Sequence, residues 1–430
     1  MLKTLLLALP LLAFPAFAAD TTPAPANPPT LLKPAITTYT CRPAYGVPLH
    51  YTWQAAGPLA KNYTIFVDVV DASGNTLAHD VHWYHTDEWK AGEMIDYSRW
   101  LCLPEYPPKG KVTLPALSEG TYDLYVGIEV GKVKDKTTGI DTGTNCPILA
   151  GPGLTADAQH RVKIGTLILD KNAPLPALGP KTLDLKGYHL TFADEFKDLS
   201  VSAWGPADAA GKSGTRWIAH TPYAGDFGDA KFTDPTPDFP FTIKDGILSI
   251  EVRKTPDGKW QGGLLSSCDP KGKGFSQRLG YFECRAKLPK GPGTWPAFWL
   301  LGVGGIDKKN PDRPPVNIEL DVVEQYGHWP NKLCITTHYW HKDGKHEGNG
   351  EHLIVPGMTE DFHTYGVMVT EEKVTYYFDG VALKTEPASD ASRAPLYLLV
   401  NLTLGPGWPL DQTPSSQVMF VDYVRAYAKD

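Results

Sequence analysis

The sequence predicts an all-β protein with two folded blocks in series, and three observations carry that reading. The 430 residues include 41 glycines and 39 prolines, while charged residues make up only 21%. Such a composition suits many turns and few long helices. Several segments alternate apolar with polar residues at a period of two, the pattern of half-buried strands. Turn chemistry then separates them at short intervals, as at Asp379 and Gly380 in VTYYFDGVAL, the preferred two-residue hairpin connection. At roughly 100–200 residues per domain, the length fits two domains.

Taken in chain order, residues 1–18 read first as an export signal. They carry Lys3, an apolar run from Leu5 to Phe17, and Ala16 and Ala18 on either side of Phe17, so cleavage is expected before Ala19. The run is shorter than the roughly 20 residues a bilayer span needs, and Pro10 and Pro15 interrupt it. The mature protein is therefore expected in the periplasm or outside the cell. Its formal charge of −7 leaves no broad basic surface for a polyanion, which excludes nucleic acid and anionic membrane as partners.

Residues 19–36, rich in Pro, Ala and Thr, are expected to form an extended, poorly ordered leader, and the prolines of 169–186 mark a linker. The blocks thus run 37–168 and 187–430. Cys41, Cys102 and Cys146 fall in the first, and Cys268, Cys284 and Cys334 in the second. An even total permits disulfides in an oxidising compartment, but three per block leaves at least one in each free or paired across blocks. No CxxC spacing supports a structural zinc or a redox centre.

In the first block, YTIFVDVVD and GTYDLYVGIEV read as strands, the latter placing Tyr122, Leu124 and Val126 on one face, and a β-sandwich is expected. His79, Asp80, His82 and His85, near Trp83 and Trp89, lack a metal-ligand spacing and read as a solvated loop or strand edge. The block resembles the immunoglobulin-like accessory modules of secreted bacterial enzymes.

The second block is also strand-like: in GILSIEVRK, Leu248, Ile250 and Val252 alternate with polar residues. A phosphate loop around Gly211, Lys212 and Ser213 fails because the required glycine position is Pro206. GxSxG, HExxH, GxGxxG and EF-hand patterns do not occur in the chain.

The most informative stretch is VNIELDVVEQYG, from Val316 to Gly327, which sets Glu319, Asp321 and Glu324 within apolar, β-branched residues. A regular strand would put Glu319 and Asp321 on one face and turn Glu324 into the apolar layer with Ile318 and Leu320. Burying an unpaired carboxylate costs several kcal/mol or forces protonation. One extra residue, a bulge at Val322 or Val323, returns Glu324 to the face of the other two. Two glutamates on one groove, with a carboxylate between them, suit a retaining glycosidase, which needs a nucleophile and a general acid/base. The competing reading is an acidic, solvated strand edge.

ELDVVE resembles the bulged ExDxxE signature of glycoside hydrolase family 16, in its laminarinase-like branch. FADEF, GYFECRAKLPKGPGTWPAFWLL, THYW, FHTYGVMVT with YYFDG, and VDYVRAY agree with it in the same order, so the resemblance spans 187–430. It implies a jelly-roll β-sandwich, concanavalin A-like, with an open concave cleft. It also implies Glu319 as nucleophile, Asp321 as its assisting neighbour and Glu324 as acid/base. Two departures bear on substrate: the long loop 206–240, and Pro406 where a second glycine is common.

Glycan clefts set flat aromatics beside polar groups. The resemblance places Trp295 and Trp299 at or under the cleft floor. His338 and Trp340, two apart, share a face, which would bring His338 near Glu324 or a sugar hydroxyl. Arg285 is the pick from the polar row of Gly280–Leu288 as a sugar contact, the alternative being a solvated face. Asp422 is a possible structural calcium ligand, as in many family members, and no cofactor is required. The chain is expected to act as a monomer on a polysaccharide, by endo-hydrolysis of β-1,3-glucan, mixed-linkage glucan or a bacterial exopolysaccharide. Transglycosylation, and a lectin on the same fold, are the alternatives.

Overall fold

The computed structural model describes residues 28–103, 117–129, 145–223, 225–405 and 410–430. The expected export signal and Pro406 lie outside the described residues.

The N-terminal region forms two β-sheets around one core. One sheet runs in the order Met94–Cys102, Gly46–Gln54, Thr30–Leu31, Leu149–Ala150. The other runs Thr38–Cys41, Val162–Leu169, Gly120–Glu129, Thr64–Val70, Thr76–Trp83. Between them lie Trp53, Ile65, Leu124, Val126 and Ile164, all fully buried. The leader expected through residue 36 is cut short, because Thr30–Leu31 pairs with Gly46–Gln54 and buries Leu31. A two-residue strand is too short for its periodicity to show. Of the histidine cluster, expected as a solvated loop or strand edge, His79, Asp80 and His82 lie on the edge strand Thr76–Trp83, but His82 is buried rather than solvated: the His79 imidazole meets the Asp68 carboxylate at 2.7 Å, and His82 meets the Tyr97 hydroxyl at 2.9 Å.

The C-terminal domain is a sandwich of two antiparallel sheets, a jelly roll. The first is ordered His346–Ile354, Lys332–His341, Val316–Glu324, Thr294–Gly302, Leu396–Leu404, Trp260–Ser266. The second is centred on the long strand Ser416–Lys429, with Gly280–Lys287 on one side and Ile247–Lys254 and Tyr188–Asp194 on the other. His363–Val369, Lys373–Phe378 and Val381–Pro387 extend it outward. Alternation explains why the sheets pack: Leu248, Ile250 and Val252 are each 0% exposed, and they join Phe282, Phe298, Leu320 and Leu398 in the layer between the sheets. Asp379 and Gly380 have φ of 49° and 80°, the left-handed pair that a tight two-residue hairpin requires.

The two regions touch beside the edge strand His346–Ile354. Tyr45 and Cys102 pack with Ile354, Trp100 and Trp329, and the Asn331 amide donates to the Ala44 carbonyl at 3.2 Å. Within the expected linker, the Leu183 amide donates to the Gly380 carbonyl, holding that segment on the C-terminal domain. The disulfides that the even count permits do not form: all six cysteines are buried and unpaired. Burial pushes the Cys334 thiol up to about 12.

Candidate active site

The strand Val316–Glu324 carries the expected bulge. On one side Asp321 lies opposite Trp299 but Val323 opposite Phe298, and on the other Asp321 faces Thr336 while Glu324 faces Cys334. Val322 is the extra residue in the first register, and in the second Val322 and Val323 together stand against Ile335. Val322 and Val323 are both buried in the intersheet layer. Two successive apolar side chains therefore point inward, and Glu319, Asp321 and Glu324 all line one cavity of about 300 Å³ on the open face. The spacing conflict in the sequence is resolved at the position where a period of two breaks.

Each outer carboxylate is held by an indole. The Trp340 Nε1–H donates to Glu319 at 2.7 Å, and the Trp295 Nε1–H donates to Glu324 at 2.8 Å. The Tyr326 hydroxyl also donates to Glu324, and its ring stacks on Trp295. The His346 ring stacks on Trp340 at 3.9 Å, yet Trp340 stays 43% exposed beside the nucleophile position. Trp299 is buried, donating its Nε1–H to Asn401 at 2.8 Å, and forms floor.

His338 joins the carboxylates, as its shared face with Trp340 suggested, and takes the central one as its direct partner. Its Nε2 sits 3.1 Å from the Asp321 carboxylate, and its Nδ1 meets the His346 Nε2 at 2.9 Å. Cross-strand pairing puts His338 opposite Glu319, before the bulge, and that register gives it the central carboxylate as partner. Gly348 leaves the space for this pair, since a Cβ there would come within 3.1 Å of the His338 ring nitrogen.

Burial raises all three carboxyl pKa values, that of Asp321 well above its ordinary range and that of Glu319 to about 8, the latter with the neighbouring Asp321 charge adding to the effect. Such close carboxylates cannot all ionise together, so the trio titrates as a set and keeps protons into the neutral range. The indole bond to Glu324 opposes this by favouring its charged form. Removing that donor with Trp295→Phe should raise the Glu324 pKa. Loss of the acid's proton would then occur at higher pH, moving the alkaline limb of the kcat profile upward. A pH–rate profile of both proteins checks this.

One expected contact belongs elsewhere. Arg285 lies on Gly280–Lys287, in the second sheet, where it pairs with Asp422 at 2.5 Å and stacks on Phe362. It is not a cleft residue. Asp422 has the Arg285 guanidinium as its partner. Among the described residues, the group close enough to share a metal ion is Glu319, Asp321 and His338, with candidate ligand atoms within 4.8 Å of one another.

Three residues escaped sequence reasoning. Tyr223 and Phe227, from the long loop 206–240, line the cavity, and Phe227 meets Trp295 and Trp299 edge-on at 5.4 and 5.7 Å. Asn401 is fully buried between those two tryptophans, accepting from the indole of Trp299 and donating to the backbone of Trp295. The aromatic content of TPYAGDFG was the available signal for the loop.

A β-sandwich presenting paired carboxylates between indoles on an open face has the layout of a glycosidase. The model of "Glycosyl hydrolases family 16" matches residues 238–425. The Beta-glucanase of Rhodothermus marinus is 32% identical over 208 residues, covering 42% of this chain and 68% of that protein. The chain belongs to glycosyl hydrolases family 16. The endo-1,3-1,4-beta-glycanase EglC of Rhizobium meliloti (strain 1021) is 33% identical over 269 residues, covering 56% of this chain and 52% of that protein. With ExsH of the same organism matched over 54% of its length, the chain spans about half the length of these two relatives. The catalytic domain of an endo-1,3-beta-glucanase (laminarinase) from Thermotoga petrophila RKU-1 aligns at 26% identity and a TM-score of 0.44, covering 56% of this chain and 98% of that one.

Proposed function

We propose that the chain is an exported, endo-acting β-glycan hydrolase that cleaves β-1,3- or mixed-linkage glucan, or a bacterial exopolysaccharide, with retention of configuration. The bulge that brings Glu319, Asp321 and Glu324 to one face carries the proposal. Without it, one of the two required groups would be lost to the core.

Glu319 attacks the anomeric carbon as the glycosidic bond breaks, and Glu324 gives its proton to the departing oxygen. A covalent glycosyl ester on Glu319 results. Glu324, now a carboxylate, takes a proton from water as that water attacks the ester carbon, releasing the sugar and regenerating both residues. Asp321, held by His338, shares its charge with the pair and keeps their protons apart. Trp340 and Trp295 fix the two carboxylates through their indole donors and offer ring faces to sugar.

The open face and the exposed Trp340 suit mid-chain binding, which favours endo action. A lectin would have no use for three ionisable groups kept in a costly, buried cluster. The N-terminal sheets are read as an immunoglobulin-like accessory module, and the layout of residues 1–18 supports export. No helix among the described residues is long and apolar enough to cross a membrane.

Incubation with β-1,3-glucan, mixed-linkage glucan and a bacterial exopolysaccharide tests this reading. Solution viscosity should fall well before reducing ends accumulate. Release of single sugars from chain ends, or no cleavage of any polymer by the folded protein, would contradict it.

A further inference from the structure

Beyond Glu319, on the side away from Glu324, a second cavity of about 400 Å³ continues from the first, and Tyr223, Glu319 and Trp340 line both. Its far wall is basic. Lys308, Arg313 and Lys342 line it, and Glu319 at its mouth is the sole carboxylate among its lining residues. None of the three cations forms an ion pair among the described residues. The Lys342 ammonium donates to the Pro311 carbonyl at 2.5 Å, the Arg313 guanidinium donates to the Lys342 carbonyl at 3.1 Å, and the Lys308 ammonium sits 4.9 Å from the centre of the Tyr223 ring. These contacts fix the positions of the charges without neutralising them. Three cations are thus gathered in one concavity of a protein whose net charge is −7.

We propose that this pocket is a sugar subsite for a residue bearing an anionic group, a carboxylate or a sulfate ester, so that the substrate is an acidic β-glycan. The inference rests on the hydrolase reading above and narrows its substrate class. Glu324 protonates the leaving oxygen, so the leaving part of the chain lies on its side of the cleft. The pocket beyond Glu319 then receives the part of the chain that becomes esterified. A neutral glucan would place hydroxyls against three unpaired cations, whereas a carboxylate or sulfate accepts the fork of Arg313 and the ammonium of Lys342. Tyr223 and Trp340 supply ring faces for the sugar itself.

The test uses one soluble mixed-linkage β-glucan in three forms: unmodified, lightly carboxymethylated and lightly sulfated. For the full chain, kcat/KM should be about tenfold higher on at least one anionic form at low ionic strength, and the preference should shrink as salt is added. Arg313→Ala and Lys342→Gln should each reduce that preference severalfold, and Arg313→Lys should restore part of it. Which anionic form is preferred identifies the substituent. Equal kcat/KM on all three forms, or variants that lose the same factor on all three, would overturn the proposal while leaving the hydrolase reading standing. If no form is cleaved, the hydrolase reading fails instead, and the pocket is read by retardation of the same proteins in gels containing each polymer. Retardation by the anionic forms that weakens in the variants supports the subsite, and equal retardation refutes it.

Discussion

Glu319→Ala should bring polysaccharide hydrolysis below detection, and Glu324→Ala should lower kcat by about 10²–10⁴-fold. The asymmetry follows from the roles. Without Glu319 no ester can form, whereas without Glu324 the first step persists for any leaving group that needs no proton. Glu324→Ala should therefore retain most of its first-step rate on an aryl glycoside with an acidic phenol, while Glu319→Ala should not. Both sites face the open cavity, so both variants should fold. Removing a carboxylate that burial holds partly protonated should even stabilise the protein slightly above the ordinary carboxylate range. Steady-state kinetics on polymer and aryl glycoside, with a thermal melt of each variant, checks the pair.

A second large effect is expected at the bulge. Exchanging the two residues after the extra step, Val323→Glu with Glu324→Val, places the carboxylate on the side chain that the bulge turns into the intersheet layer with Ile318 and Leu320. Activity should be lost, with destabilisation of several kcal/mol from the buried carboxylate. Deleting Val322 has the opposite logic. Asp321, Val323 and Glu324 then alternate as an ordinary strand, and Glu324 still reaches the open face. That variant loses one buried valine, at about 1–3 kcal/mol, yet should keep measurable hydrolysis. Activity of the exchanged variant equal to that of the deletion would contradict the role assigned to the bulge.

The site's centre was legible because it breaks a rule: three carboxylates in an apolar strand at a spacing that a period of two cannot serve. The flanking tryptophans were legible for a related reason, as large rings on strands next to that one. The failures have physical causes. A polar row such as Tyr281 to Lys287 shows that one face of a strand is not core, but not to which of two sheets the strand belongs, and Arg285 falls in the sheet away from the cleft. His338 lies close enough to Glu324 to favour its charged form, as its face suggested, but the carboxylate it bonds is Asp321, which depends on cross-strand register at the bulge. Tyr223 and Phe227 come from an irregular loop with no period to read. Asn401 acts through a hydrogen bond to a side chain 102 residues away, and no local pattern encodes such a contact.

The central claim, that Glu319 and Glu324 perform a double displacement, is tested most directly by the configuration of the glycosyl azide that each alanine variant makes from an activated aryl β-glycoside. In Glu324→Ala, azide should attack the ester on Glu319 and give a product of retained, β configuration. In Glu319→Ala, azide should enter the vacated space, attack the substrate itself and give the inverted, α product. NMR of the anomeric proton distinguishes the two. The reverse assignment of products would exchange the roles, and turnover at the unmodified rate in either variant would contradict the mechanism built on this pair.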